Sequence, residues 1–273
     1  MDQAVVSGSF DNLRSSDIRF LEEAARFGSL IVWLWSDALA NRLDSHAPKF
    51  PEAERLYLLA STRYISQVHL VDQLEVADTL PSVELMGPVT WVVREVDHTA
   101  QKQRYCAAHA MKYQVIENAI LKHFPQLPAD VIDTDPHSKK VVVTGCYDWF
   151  HSGHVRFFEE ASELGDLYVV VGSDQNVHLL KGEGHPLLPQ DERRFLVQSS
   201  RYVKQALIST GSGWMDAEPE IARIGPDIYV VNEDGDKSEK RAFCKEHDIE
   251  YVVLKRLPKE GLPKRESTLL RGY

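Results

Sequence analysis

Residues 7–37 and 144–174 are one pattern written twice. With Ser7 set beneath Thr144, SGSFDNLRSSDIRFLEEAARFGSLIVWLWSD lies on TGCYDWFHSGHVRFFEEASELGDLYVVVGSD without a gap, with 13 identities in 31 positions. After one added residue, PEAERLYLLASTRYI (51–65) lies on PQDERRFLVQSSRYV (189–203), with 7 identities in 15. Gly87-Pro88 then meets Gly225-Pro226, Cys106 meets Cys244, and the match runs on to Ile116 over Leu254. Two large copies in tandem describe a domain pair rather than a solenoid of short repeats. The proline-bearing, polar stretch between them reads as a linker. The expected organisation is residues 1–125, a linker at 126–139, and residues 140–273.

Each copy carries short apolar runs separated by helical spacing. In the second copy Val141-Val142-Val143, Leu167–Val171, Ile228–Val231 and Tyr251–Leu254 are continuous and rich in β-branched residues. Such runs belong to parallel strands covered on both faces. Val155, Phe158, Ala161 and Leu164 recur at helical spacing, and Gly165 follows as a stop. Alternating strands and helices predict an α/β class chain with two tandem Rossmann-like domains, each a doubly wound parallel sheet. Ligands of such sheets bind at the carboxyl ends of the strands, near the switch point.

Composition narrows the function. The net charge of −10 opposes nucleic acid and anionic membranes as partners, although local donors can still bind small anions. The three cysteines, Cys106, Cys146 and Cys244, are an odd number without metal-knuckle spacing. No metal site is expected in the protein itself. The first residues lack a signal-peptide pattern, and no apolar stretch reaches membrane-spanning length. A reducing cytoplasm is the expected location.

The chemistry gathers where the first strand of the second copy ends, at Thr144-Gly145-Cys146-Tyr147-Asp148, followed by His151-Ser152-Gly153-His154 and a helix. A helix N-terminus offers unpaired N–H groups and partial positive charge, which favour a phosphate. Two imidazoles there add donors, and Gly153 removes a side chain where phosphate would approach backbone. No G-x-G-x-x-G follows either first strand, which argues against a redox dinucleotide enzyme.

GCYD followed by HSGH, placed between strand and helix, resembles the HxGH signature of the cytidylyltransferase-like nucleotidyltransferase superfamily. The motif is closest to the ethanolamine-phosphate and glycerol-3-phosphate types. Gly172-Ser173-Asp174 and Lys181, then Glu192-Arg193 and Arg201-Tyr202-Val203, follow in the family's order. Arg265-Glu266-Ser267-Thr268-Leu269-Leu270-Arg271 resembles its C-terminal phosphate clamp. The sequence departs from the pattern at Lys204, at Asn232-Glu233-Asp234, and in the clamp, which lacks the Gly-Ile of the CTP-using form.

The resemblance implies transfer of CMP from CTP, or of AMP from ATP, to a phosphorylated alcohol or sugar with release of pyrophosphate. It implies catalytic roles for His151, His154 and Lys181. It implies nucleotide binding by Thr144, Gly145, Cys146, Tyr147, Asp148, Gly153, Arg265, Ser267, Thr268 and Arg271. Mg²⁺ is expected to enter with the triphosphate. A homodimer is a further expectation, and a non-catalytic nucleotide-binding scaffold is the alternative from another class.

The first copy keeps the scaffold and loses the chemistry. Arg14 and Asp17 stand in place of the histidines, Ser16 in place of Gly153, and Asn41-Arg42-Leu43-Asp44 in place of the Lys181 segment. A folded, non-catalytic domain is expected. Glu54-Arg55 and Arg63 survive there, so Glu192-Arg193 and Arg201 read as structural. Cys106 and Cys244 read as core, and Cys146 as a small packing residue. Trp33 and Trp35 lack aromatic counterparts, which suggests a domain or subunit interface.

Overall fold

The computed structural model describes residues 2–81, 87–125, 132, 137–266 and 270. The chain divides into two compact units, residues 1–124 and 125–272.

The first unit contains β1 (Gln3–Gly8), α1 (Ser15–Ala24), β2 (Ser29–Trp35), α2 (Asp37–Leu43), α3 (Glu52–Ala60), β3 (Ile65–Val71), β4 (Val89–Arg94), α4 (Ala100–Ala108) and β5 (Lys112–Ile116). The second contains β6 (Lys140–Gly145), α5 (Ser152–Ser162), β7 (Asp166–Val171), α6 (Asp174–Lys181), α7 (Gln190–Gln198), β8 (Val203–Ile208), α8 (Glu218–Ile224), β9 (Ile228–Asn232), α9 (Ser238–Glu246) and β10 (Glu250–Leu254).

Both units form five-stranded parallel sheets of the same topology. The order is β3-β2-β1-β4-β5 in one and β8-β7-β6-β9-β10 in the other. Gln3 pairs with Ser29 and Lys140 with Asp166, which are equivalent positions in the two copies. Even the register shift between the second and third strands recurs, at Leu30/Ile31 and at Leu167/Tyr168.

Alternation along each strand builds two apolar layers. In the second unit Val141 and Val143 pack with Phe158, Val169 and Val197 on one face, while Val142 packs with Tyr168, Ile221 and Tyr229 on the other. Helices cover both faces, which is why the strands read as unbroken apolar runs. Cys106 and Cys244 are each 1% exposed, inside their units.

The tryptophans overturn one expectation. Trp33 and Trp35 belong to the first unit's own core, packed with Leu39, Val71 and Trp91, rather than to an interface. Both lie on β2, a strand buried along nearly its whole length. Two-sided burial leaves such residues pointing into one layer or the other, so a bulky ring there is core material.

Glu54, Arg55 and Arg193 are fully buried. Arg193 donates to the carbonyls of Leu188 and Cys146 and pairs with Asp174 at 2.7 Å. Arg55 makes the same set of bonds to Phe50, Ser9 and Asp37. Each guanidinium ties the turn after the first strand to the start of the second α-helix of its unit. The surviving Glu-Arg pattern is therefore structural at the arginine. Among the described residues no helix is long and apolar enough to cross a membrane.

Candidate active site

A cavity of about 240 Å³ opens at the carboxyl ends of β6 and β9. His151, Gly153 and His154 line it from the start of α5, and Lys181 lines it from the end of α6. Thr144 through Asp148 form its edge along the end of β6. Arg265 lines an adjoining cleft that shares Gly153 and Arg256 with the first. Ser267, Thr268 and Arg271 lie outside the described residues.

His151 is the N-cap of α5, and its Nδ1 accepts the Gly153 N–H at 3.1 Å. An accepting Nδ1 on a neutral ring puts the proton on Nε2. That Nε2 is buried without a partner among the described residues, as is Nδ1 of His154. The two rings stack with centroids 4.0 Å apart. Burial, reinforced by Arg256 and Arg265, lowers the His151 pKa to about 3. Burial, then His151, Arg256 and Lys181, holds His154 well below the ordinary value. Neutral imidazoles therefore present unspent hydrogen-bonding edges, and the positive charge comes from the neighbouring lysines and arginine.

The two glycines serve this arrangement. A Cβ on Gly153 would come within 2.9 Å of the His151 ring that folds over it. A Cβ on Gly145 would come within 2.8 Å of the Tyr147 ring. Tyr147 takes a left-handed φ of 53° and is 5% exposed. Its ring meets His154 edge-on at 5.3 Å and fixes that imidazole from below. Thr144 spends its hydroxyl on Tyr229 at 2.7 Å.

Asp148 occupies the cleft edge, yet its carboxylate serves the loop after Lys181. It accepts the N–H groups of Leu187 at 2.5 Å and Leu188 at 3.1 Å, and Nδ1 of His185 lies 3.1 Å away. Asp11 does the same in the first unit, accepting from Lys49 and Phe50. The side chain thus anchors the segment that follows the cleft lysine. The Cys146 thiol is pushed up by burial, with Lys181 and Arg193 opposing the shift.

Asn232 and Asp234, where the sequence departs from the family pattern, also line the cavity, as do two residues the motifs did not name, Lys240 and Arg256. The Lys240 ammonium lies 5.6 Å from the Tyr229 ring centre, and burial lowers its pKa. Arg256 pairs with Asp234. The one signal available for Lys240 was its persistence as Lys102 in the first copy. Arg256 follows the last strand in a segment without a motif.

The model of the cytidylyltransferase-like family matches residues 142–261, all within the second unit. The FAD synthase of Aciduliprofundum boonei is 37% identical over 125 residues, which are 45% of this chain and 80% of that protein. The chain belongs to the cytidylyltransferase-like family. The FAD synthase of Ferroglobus placidus is 39% identical over 97 residues, 35% of this chain and 60% of that protein. The ethanolamine-phosphate cytidylyltransferase of Arabidopsis thaliana is 34% identical over 119 residues, 43% of this chain and 27% of that protein. The relatives are nucleotidyltransferases.

Proposed function

We propose that the second unit transfers CMP from CTP to a phosphorylated alcohol or sugar. One observation carries the reading. Two stacked, neutral histidines with unspent ring nitrogens sit at a helix start, in a cleft that also holds Lys181, Lys240 and Arg256. Unspent buried donors are costly unless a ligand takes them up, and a phosphate at a helix N-terminus suits them.

An acceptor phosphate oxygen attacks the α-phosphorus in line, a P–O bond forms, and the bond to the β-phosphate breaks as pyrophosphate leaves. No covalent enzyme intermediate is needed, so the protein's contribution is positioning and charge stabilisation. His151 donates from Nε2 to the α-phosphate oxygens. His154 braces against Tyr147 and supplies the second contact. Lys181, Lys240 and Arg265 hold the charge of the triphosphate and of the acceptor. Ser267, Thr268 and Arg271 complete the phosphate grip. Magnesium is carried in on the triphosphate oxygens.

Adenylyl transfer from ATP is the second reading, favoured by relatives named as FAD synthases. In either reading the first unit is a non-catalytic copy, since Asp17 stands where His154 would be. A boundary near residues 126–139 and a cytoplasmic location belong to the same proposal. A pyrophosphate-release screen of CTP and ATP against phosphorylated acceptors tests it, with wild type beside His154→Ala. Turnover that survives His154→Ala unchanged excludes this site.

A further inference from the structure

The two units share a topology but treat one sheet edge differently. The third strand of each lies at an edge, β3 in the first unit and β8 in the second. β8 is closed. The Gln198 carboxamide reaches it from the end of α7, donating to the Lys204 carbonyl at 3.4 Å and accepting the Ala206 N–H at 2.7 Å. Lys204 adds a charge to the edge and lies 3.7 Å from Asp166. A plugged main chain and an edge lysine both oppose strand-to-strand association.

The first copy has lost every part of that protection. Exposed Ala60 stands in place of Gln198, Ser66 in place of Lys204 and Ser29 in place of Asp166. The ion pair has become a hydroxyl pair, with Ser29 Oγ donating to Ser66 Oγ at 2.8 Å. β3 reads ISQVHLV, without Lys, Arg, Asp or Glu, whereas the edge strands β5, β8 and β10 carry Lys112, Lys204 and Glu250. Ser66, Gln67, His69 and Leu70 are exposed, while their β8 equivalents are buried or half-buried. Leu70 and Val76, 40% and 50% exposed, give this edge an apolar margin. Among the described residues, no main-chain group of residues 66–70 bonds outside the β2 ladder.

The register says what fits there. The two groups that Gln198 closes on β8 correspond to the Ser66 carbonyl and the Val68 N–H. Ser66, Val68 and Leu70, two residues apart, therefore turn their main chain outward. An antiparallel partner bonds such residues only through outward-facing residues of its own. A second β3 satisfies this when Val68 lies on a twofold axis. Val68 then exchanges both bonds with Val68 of the partner subunit, and Ser66 does so with Leu70 of the partner subunit. The same register brings Arg63, exposed before the strand, alongside Asp72 of the partner subunit, exposed after it, and the axis repeats the contact. Parallel pairing would instead set Asp72 against its own copy. An interface that meets itself in this way closes as a dimer.

We propose that β3 is a self-association edge, through which two copies of this chain join their first-unit sheets into one continuous sheet. Sedimentation equilibrium of the full chain over rising concentration tests it. A reversible monomer–dimer equilibrium is expected for wild type. Ala60→Gln restores the plug from α3 without touching the strand, and should leave the chain monomeric at the same concentrations. Val68→Lys should do the same, because it sets two ammonium groups directly opposite each other at the axis. Hydrogen exchange at the Val68 and Leu70 amides should slow with concentration in wild type but not in Ala60→Gln. A wild-type chain that stays monomeric would overturn the proposal. So would a dimer that persists in Ala60→Gln, with its melting curve unchanged, since its interface would lie elsewhere. If Val68→Lys fails to fold, Ala60→Gln decides the matter alone. The readout is independent of turnover by the second unit.

Discussion

The imidazoles of His151 and His154 lie face to face, with centroids 4.0 Å apart and planes 22° from parallel. Two protonated rings at that separation would repel strongly in a buried setting. The stack is therefore an arrangement of neutral rings. Both pKa values lie below the ordinary histidine value of 6.5.

That depression makes stability fall with acid. The unfolded chain takes up protons first, so stability is complete above pH 6.5 and is lost as pH falls toward the folded value of about 3 for His151. The slope should be about 1.4 kcal/mol per pH unit for each buried histidine. Denaturant midpoints between pH 7.5 and 5 should drop more steeply in wild type than in a His151→Gln, His154→Gln double variant. Parallel curves would contradict the burial of neutral rings.

Gly153→Ala should inactivate without unfolding. The added methyl would press on the His151 ring at 2.9 Å and force it off the cap. Losing one positioned transition-state donor typically lowers kcat about a hundredfold, while the helix should tolerate alanine. Steady-state kinetics beside a melting curve separates the two effects. A variant with wild-type kcat would show that the His151 orientation does not matter.

Asp148→Ala and Asp11→Ala should destabilise their units alike. Each removes the acceptor for two loop N–H groups. These N–H groups are exposed or partly buried, so each lost bond costs about 0.5–1.5 kcal/mol. Only Asp148→Ala should also raise KM for the triphosphate, because its loop follows Lys181. Equal effects of both variants on KM would refute the separate roles of the two units.

Removing the buried guanidinium should be more severe. Arg193→Met leaves the carbonyls of Cys146 and Leu188 without their donor and Asp174 without its partner. Asp174 is 43% exposed and can rehydrate, so the cost lies in the two carbonyls left without a donor, about 1–3 kcal/mol each. Arg55→Met should cost a similar amount, visible in chemical denaturation. A loss confined to activity, with unchanged stability, would make Arg193 a ligand of the site rather than a structural tie.

Much of this was legible along the chain. Unbroken runs such as Val141–Val143 and helical spacing such as Val155, Phe158 and Ala161 report local periodicity, and periodicity is a property of the sequence itself. The repeat extended those readings to both units and singled out Arg55 and Arg193 as structural, because they outlived the site. The role of Asp148 was not legible. A carboxylate beside an HxGH motif has the chemistry of a ligand until the loop it binds, some forty residues later, is seen folded against it.

The sequence by itself determined the alternation of strands and helices, the duplication, and the gathering of histidine and glycine at one strand-to-helix turn, because each depends on near neighbours. Only the tertiary structure decided that the histidines stack as neutral rings, that Lys240 and Arg256 join them, and that Trp33 and Trp35 are interior. Those outcomes depend on which distant segments are brought together and on how much water they expel, and burial of that kind has no local signature.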